Sequence, residues 1–159
     1  MDDFIHKQSP AFLAHMLRRI SDELVRAGSQ WYPEVGVTAP ARTTSTLLVL
    51  DDRGPLAVTE IALLLRQSHP LVIGWIKQLA ALGFVETRSD REDGRRSIIA
   101  LTGEGQSEVQ RLRRALVTME EASQRLMDEA SVDVFQALVA MDQAMRRKSF
   151  LDCLRSPHG

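Results

Sequence analysis

Residues 56–101 read LAVTEIALLLRQSHPLVIGWIKQLAALGFVETRSDREDGRRSIIAL, and the punctuation of this stretch decides the fold. Val58 to Arg66 forms a first short helix, with Ile61, Leu64 and Leu65 set at helical spacing to face inward. Gln67 and Ser68 turn the chain. A second helix opens at Ser68-His69-Pro70, with either Ser68 or His69 as cap, and stops at Gly83. Its inward set is Val72, Trp75, Ile76, Leu79 and Leu82. The apolar run 71–76 also suits a buried strand, but the cap, the trailing 77–82 and the glycine stop favour a helix. Phe84–Arg88 and Ser97–Leu101 then read as a β-hairpin around an arginine-rich loop. Helix, turn, helix and hairpin in that order make a winged helix-turn-helix, a shape that presents one helix to a DNA groove.

At about 100° per residue, the face opposite the core stripe holds Pro70, Ile73, Gly74, Lys77, Gln78 and Ala81. Ser68 and His69 stand at its N-terminal end, where free N–H groups suit a phosphate. Hydrogen-bonding groups are few on this face. Gln78 suits adenine and the apolar side chains suit thymine methyls. Gly74 marks either a close approach or a tolerated glycine. In the loop, Arg88, Arg91, Arg95 and Arg96 interleave with Asp90, Glu92 and Asp93, leaving one net positive charge over 88–96. Two readings fit: a self-paired solvated loop, or one that Asp90 and Asp93 shape while the arginines enter a minor groove.

With 159 residues, the chain fits one domain with an extension, and its 44% hydrophobic content allows a real core. A formal net charge of −1 excludes bulk basicity, so any nucleic-acid site is a local patch. The single cysteine, Cys153, permits no internal disulfide and has no clear activating neighbour. No apolar run approaches the roughly 20 residues of a membrane span, and the first residues lack signal-peptide order. A cytoplasmic, soluble protein without a membrane role is expected. Four scattered histidines and one cysteine give no metal-ligand spacing. Phosphate-cradling glycine loops and nucleophile elbows are missing too, so no enzyme and no cofactor are expected.

Upstream, Ser9-Pro10 is a helix start, followed by Leu13, Leu17, Ile20 and Leu24 on one stripe that fades near Gly28. Residues 29–36 read as a loop. Its Trp31 and Tyr32 either plug a gap or line a small-molecule cavity. Thr38-Ala39-Pro40 is a further start, with Thr38 as cap and a helix over 42–50. Downstream, Thr102 caps a long helix carrying Val109, Leu112, Leu116, Met119 and Leu126. Ala130-Ser131 breaks it, and a last helix runs from Val134 to Leu154. These helices hold more apolar stripe than the winged core can cover, so a two-fold homodimer is expected. The expected architecture is mostly α with a small β-hairpin wing (α+β). Residues 9–28 and 102–155 form the helical dimerisation region, and 38–101 the winged helix-turn-helix.

Leu56-Ala57-Val58-Thr59-Glu60-Ile61-Ala62, the helix ending in Leu82-Gly83-Phe84-Val85, the loop 90–96 and Leu101-Thr102-Gly103-Glu104-Gly105 together resemble the MarR family of bacterial transcriptional regulators. The resemblance covers nearly the whole chain in element order. It implies a homodimeric regulator, most often a repressor, that binds pseudo-palindromic double-stranded DNA and is released by a small aromatic or phenolic effector. The family's Asp-x-Arg-Asp-x-Arg wing pattern maps onto Asp90, Glu92 in place of its arginine, Asp93 and Arg95. Helix 69–82 would then enter the major groove and the wing 89–96 the minor groove. His15, Arg18, Trp31 and Tyr32 would border an effector cleft between the dimer helices and the winged core. The effector is expected to change the spacing of the two reading helices. The alternative is a winged-helix interaction module whose apolar face (Ile73, Gly74, Ala81) binds a protein partner.

Overall fold

Ser9 is extended and accepts a hydrogen bond from the Ala11 N–H, which opens a 3-10 turn over Pro10–Phe12. The chain then enters α1, Leu13–Trp31. The computed structural model describes residues 2–90, 94 and 97–156. Helix α1 does not fade at Gly28. One interior glycine costs only about 1 kcal/mol of helix propensity, and the first residue that cannot continue a helix is Pro33. The expected loop is therefore the end of α1 plus a 3-10 turn, Tyr32–Val35, closed by Gly36 at φ 78°.

Thr38 is not a helix cap. Its N–H and that of Ala39 point instead at the Glu108 carboxylate, 2.6 and 2.7 Å away. The next helix begins later, as a 3-10 turn Ala41–Thr43 leading into α2, Thr44–Arg53. Helix α3 spans Val58–Leu65, and the Glu60 side chain accepts from the Ala57 N–H at its start. Ile61, Ala62 and half-buried Leu65 face the core, whereas Leu64 is 46% exposed. In a helix of two turns, a stripe 61/62/65 and a stripe 61/64/65 differ by a small rotation, and packing selects the first. Arg66 ends α3 in the left-handed region at φ 52°.

Helix α4 spans His69–Ala81, which rules out the strand reading of 71–76. Ser68 occupies the cap position in extended conformation, without a side-chain cap bond. Val72, Ile76 and Leu79 are buried and Trp75 is half-buried against them. Leu82, beyond the last helical residue, is 44% exposed rather than inward. Gly83 at φ 77° donates to the Ala80 carbonyl while Phe84 N–H donates to that of Leu79. This pair of bonds is the glycine-dependent helix stop that the sequence signalled.

Strands β1, Val85–Ser89, and β2, Ser97–Leu101, pair antiparallel with Val85 opposite Leu101 and Ser89 opposite Ser97. Leu56 adds a short bridge to Ile99 on the outer edge of β2, exchanging both backbone hydrogen bonds. The core gathers Leu47, Leu50, Ile61, Val72, Leu79, Phe84, Ile99 and Val109 from every element of the winged half.

Helix α5, Gly103–Ala130, starts at Thr102, whose hydroxyl accepts from the Gly105 N–H and donates to the Gly83 carbonyl. The chain divides into two compact units, Met1–Leu116 and Val117–Gly159, with the division falling inside α5. In the second unit the expected single last helix is two. Helix α6, Val134–Arg147, is capped by Asp133, and α7, Phe150–Arg155, by Ser149. The serine cap makes a fresh start possible where Lys148 turns extended. Neither α6 nor α7 has a buried residue; Phe135, Leu138, Met141, Met145 and Leu154 all stand exposed. No helix of the described residues is long and apolar enough to cross a membrane.

Candidate nucleic-acid interface

The core stripe of α4 fixes which side of the helix is free. Pro70, Lys77, Gln78 and Ala81 are exposed, as are Ser68 and His69 before the first turn; Ile73 and Gly74 are half-buried. The sequence-predicted reading face is thus one continuous side of α4, with its centre more sheltered than its ends. Adding a Cβ at Gly74 would meet nothing within 4 Å. The glycine is therefore not required by a close approach within the subunit.

One flank of that face opens onto a cavity of about 970 Å³. Its floor on α4 is Pro70, Leu71, Gly74, Trp75 and Gln78. Its opposite wall comes from α1, where Arg18, Asp22, Val25, Arg26 and Ser29 recur at spacings of 4, 3, 1 and 3 and so share a face. Pro40, Ala41 and Arg42 close one end. The arginines differ in commitment. Arg26 is held by both Glu23 oxygens. Arg18 lies 3.7 Å from Asp22. Arg42 is exposed, and among the described residues it has no carboxylate partner.

At the hairpin, Arg88 donates to Glu86, two residues away on the same strand face. It also lines a separate groove with Asp51, Gln106, Gln110 and Arg113, so it sits at the root of the wing and is partly neutralised there. Arg113 closes that groove by pairing with Asp51 and Asp52, which hold its guanidinium above the usual arginine range. Asp90 is half-buried. Arg91, Glu92, Asp93, Arg95 and Arg96 lie outside the described residues.

The four expected effector contacts do not converge. His15 and Arg18 border a shallow pocket on α1, and Arg18 alone reaches the larger cleft. Tyr32 is core: only 4% is exposed, its phenol is hydrogen-bonded to the Thr44 side chain, and burial raises its pKa. Trp31 packs on it with ring centroids 6.1 Å apart and lines neither cavity. The two rings fill a gap beneath the turn rather than face a ligand. Arg26, Arg42 and Trp75 were not singled out from sequence as cleft residues. The α1 stripe at 18, 22, 25, 26 and 29 was the available signal, since five residues sharing a face outside the apolar stripe imply a wall.

The MarR family profile matches residues 35–96, from the end of the turn after α1 to the end of the wing. No curated protein matches by sequence. Among solved structures, PcaV of Streptomyces coelicolor, a transcriptional regulator in complex with its natural ligand, is 20% identical. It aligns over 95% of this chain and 99% of its own, with a TM-score of 0.65. BpsR of Bordetella bronchiseptica, whose DNA binding is regulated by 6-hydroxynicotinic acid, is 21% identical over 94% and 99%, TM-score 0.64. MepR of S. aureus, solved with DNA, is 22% identical over 84% and 96%, TM-score 0.64. At these identities the structures speak for the fold, and the matched segment speaks for the family. A helix-turn-helix, a hairpin wing and a profile match that contains both lead to one assignment: the chain is a winged-helix transcriptional regulator of the MarR family.

Proposed function

We propose that the chain is a ligand-responsive, homodimeric repressor that reads a pseudo-palindromic operator with helix 69–82 in the major groove and wing 89–96 in the minor groove. The observation that carries this reading is the uncovered side of α4, with Ser68, His69, Lys77 and Gln78 exposed along it next to the hairpin. MepR's structure with DNA and the ligand dependence of BpsR support it by likeness of fold. Dimerisation is supported by α6, where Phe135, Leu138, Met141 and Met145 form an exposed apolar stripe that water does not stabilise. Two-fold pairing would set the reading helices about one DNA turn apart. The effector we place in the cleft beside α4 is a small aromatic acid or phenol, with Arg18 as one contact.

DNA fragments selected by the purified protein provide the operator. Charge reversal at Arg91, Arg95 and Arg96 together is expected to weaken operator binding on the order of a hundredfold or more, and to flatten its salt dependence. A mobility shift unaffected by the triple reversal refutes the wing's role. No specific shift at low salt refutes the DNA reading itself. Docking of a protein partner on α4 has less support, since Ile73 and Gly74 are half-buried; that binding would be indifferent to the wing charges.

Leu138→Glu tests the dimer. Leu138 is 39% exposed in this chain, so a charge there disturbs little within one subunit. Sedimentation is expected to show a folded monomer that no longer shifts the operator. A Leu138→Glu protein that stays dimeric removes α6 from the interface.

A further inference from the structure

We propose that Arg42 is a shared anion site, holding an operator phosphate when the protein is on DNA and the carboxylate of an aromatic effector when it is not. This rests on the DNA-binding reading above. It adds a mode of regulation in which the effector displaces DNA at the flank of the reading helix.

Three observations converge. The first is charge: of the three arginines in the cleft, Arg26 is clamped by Glu23 and Arg18 faces Asp22, whereas Arg42 is uncommitted among the described residues. A guanidinium offers a planar fork that matches a carboxylate or a phosphate equally well.

The second is position. A helix is about 10–12 Å across with its side chains, and the major groove is about 12 Å wide. A helix lying in the groove therefore has a phosphate backbone along each flank. Pro70, Gly74 and Gln78 belong both to the exposed side of α4 and to the cleft that holds Arg42. The backbone strand on that flank passes the mouth of the cleft, within reach of an arginine side chain.

The third is shape. Behind Arg42 the walls are apolar: Val25 and Pro40 on one side, Leu71 and half-buried Trp75 on the other. The absent side chain at Gly74 leaves the helix backbone open to a flat ring. A cavity of about 970 Å³ has room for one aromatic ring and its acid group. A ring seated there, with its carboxylate on Arg42, removes the cation that the phosphate needs and fills the flank the backbone must approach. Binding of the two is then mutually exclusive, which differs from a change in the spacing of two distant helices.

The test uses the full-length chain, a selected operator fragment, benzoate as the probe and benzyl alcohol as its uncharged counterpart. Trp75, one of two tryptophans, reports benzoate binding by fluorescence. For the wild type, the apparent operator Kd is expected to rise in proportion to benzoate without a plateau, and benzyl alcohol is expected to act far more weakly. Arg42→Gln is expected to lower the salt slope of operator binding by about 0.9 for each phosphate that it no longer neutralises and to weaken benzoate roughly tenfold to a hundredfold. Arg42→Lys should restore most of the salt slope but less of the benzoate affinity, because the fork is gone. A plateau in the benzoate titration means a ternary complex and overturns the proposal, as does an unchanged salt slope in Arg42→Gln. Failure of benzoate to bind or to displace DNA at millimolar concentration overturns it as well. A wild-type protein that selects no fragment overturns the DNA reading and this inference together, whereas selection with an unchanged Arg42→Gln slope overturns this inference alone.

Discussion

Gly105→Ala is expected to be among the most damaging single-atom additions in the winged half of the chain. A Cβ on Gly105 would stand 1.9 Å from the Phe84 carbonyl oxygen and 2.9 Å from its carbon, with the Leu101 side chain at 3.2 Å. The obstacle is backbone, and it is fixed from both sides. The Phe84 carbonyl accepts the Thr102 N–H, and the Phe84 N–H terminates α4 at Leu79. Moving Phe84 therefore loosens the end of the reading helix and the start of α5 together. Helix propensity alone would favour alanine by about 1 kcal/mol, so the sign of the effect decides between local preference and packing. The expected loss is on the order of 3 kcal/mol, a large part of a total near 5–15 kcal/mol. Urea denaturation measures it. Gly103→Ala, whose Cβ meets nothing within 4 Å, is the control and should match or exceed the wild type. Equal stability of the two variants would mean that Phe84 yields easily, contrary to its hydrogen bonds.

Glu108→Ala is expected to cost about 3–5 kcal/mol, the usual penalty for removing one partner of a buried charged pair. Glu108 is fully buried on α5. One carboxylate oxygen takes the Thr38 and Ala39 N–H groups, and the other takes two Arg111 donors at 3.0 and 2.7 Å. Alanine strands two backbone donors and a guanidinium at once. Glu108→Gln retains one good acceptor and is expected to lose less, about 1–3 kcal/mol. Arg111 is partly exposed, so water can take over part of its role and Arg111→Ala should cost less than Glu108→Ala. Thermal denaturation of the three variants gives the order. Glu108→Ala within about 1 kcal/mol of the wild type would show that water replaces the carboxylate without penalty.

The helix-turn-helix and its hairpin were legible because local rules and tertiary demands agree there. Pro70 follows an extended cap, Gly83 takes the one backbone state that stops α4, and Val72, Ile76 and Leu79 repeat at helical spacing. Where the two diverge, sequence reading slipped. Ala62 displaced Leu64 from the core of a two-turn helix, because so short an element can rotate slightly without breaking its pattern. Glu108 gave no local sign of burial, since its partners lie about 70 residues upstream and are backbone groups. Tyr32 invited a binding role that burial and Thr44 deny it. The reading face of α4 came directly from its periodicity, but the cleft beside it needs three segments brought together, and no periodicity within one segment encodes that.

The small bridge between Leu56 and Ile99 sets where the hairpin can flex. Ile99 gives and receives a backbone bond there, at 2.7 and 3.1 Å, in addition to its pairing with Thr87. A two-stranded ribbon alone is marginal in water, so this third neighbour acts as a fulcrum. Amide deuteration should be slow at Leu56 and Ile99 and quicken toward Ser89 and Ser97. The arginine-bearing tip is then able to follow the contour of a duplex while the segment next to α4 holds still.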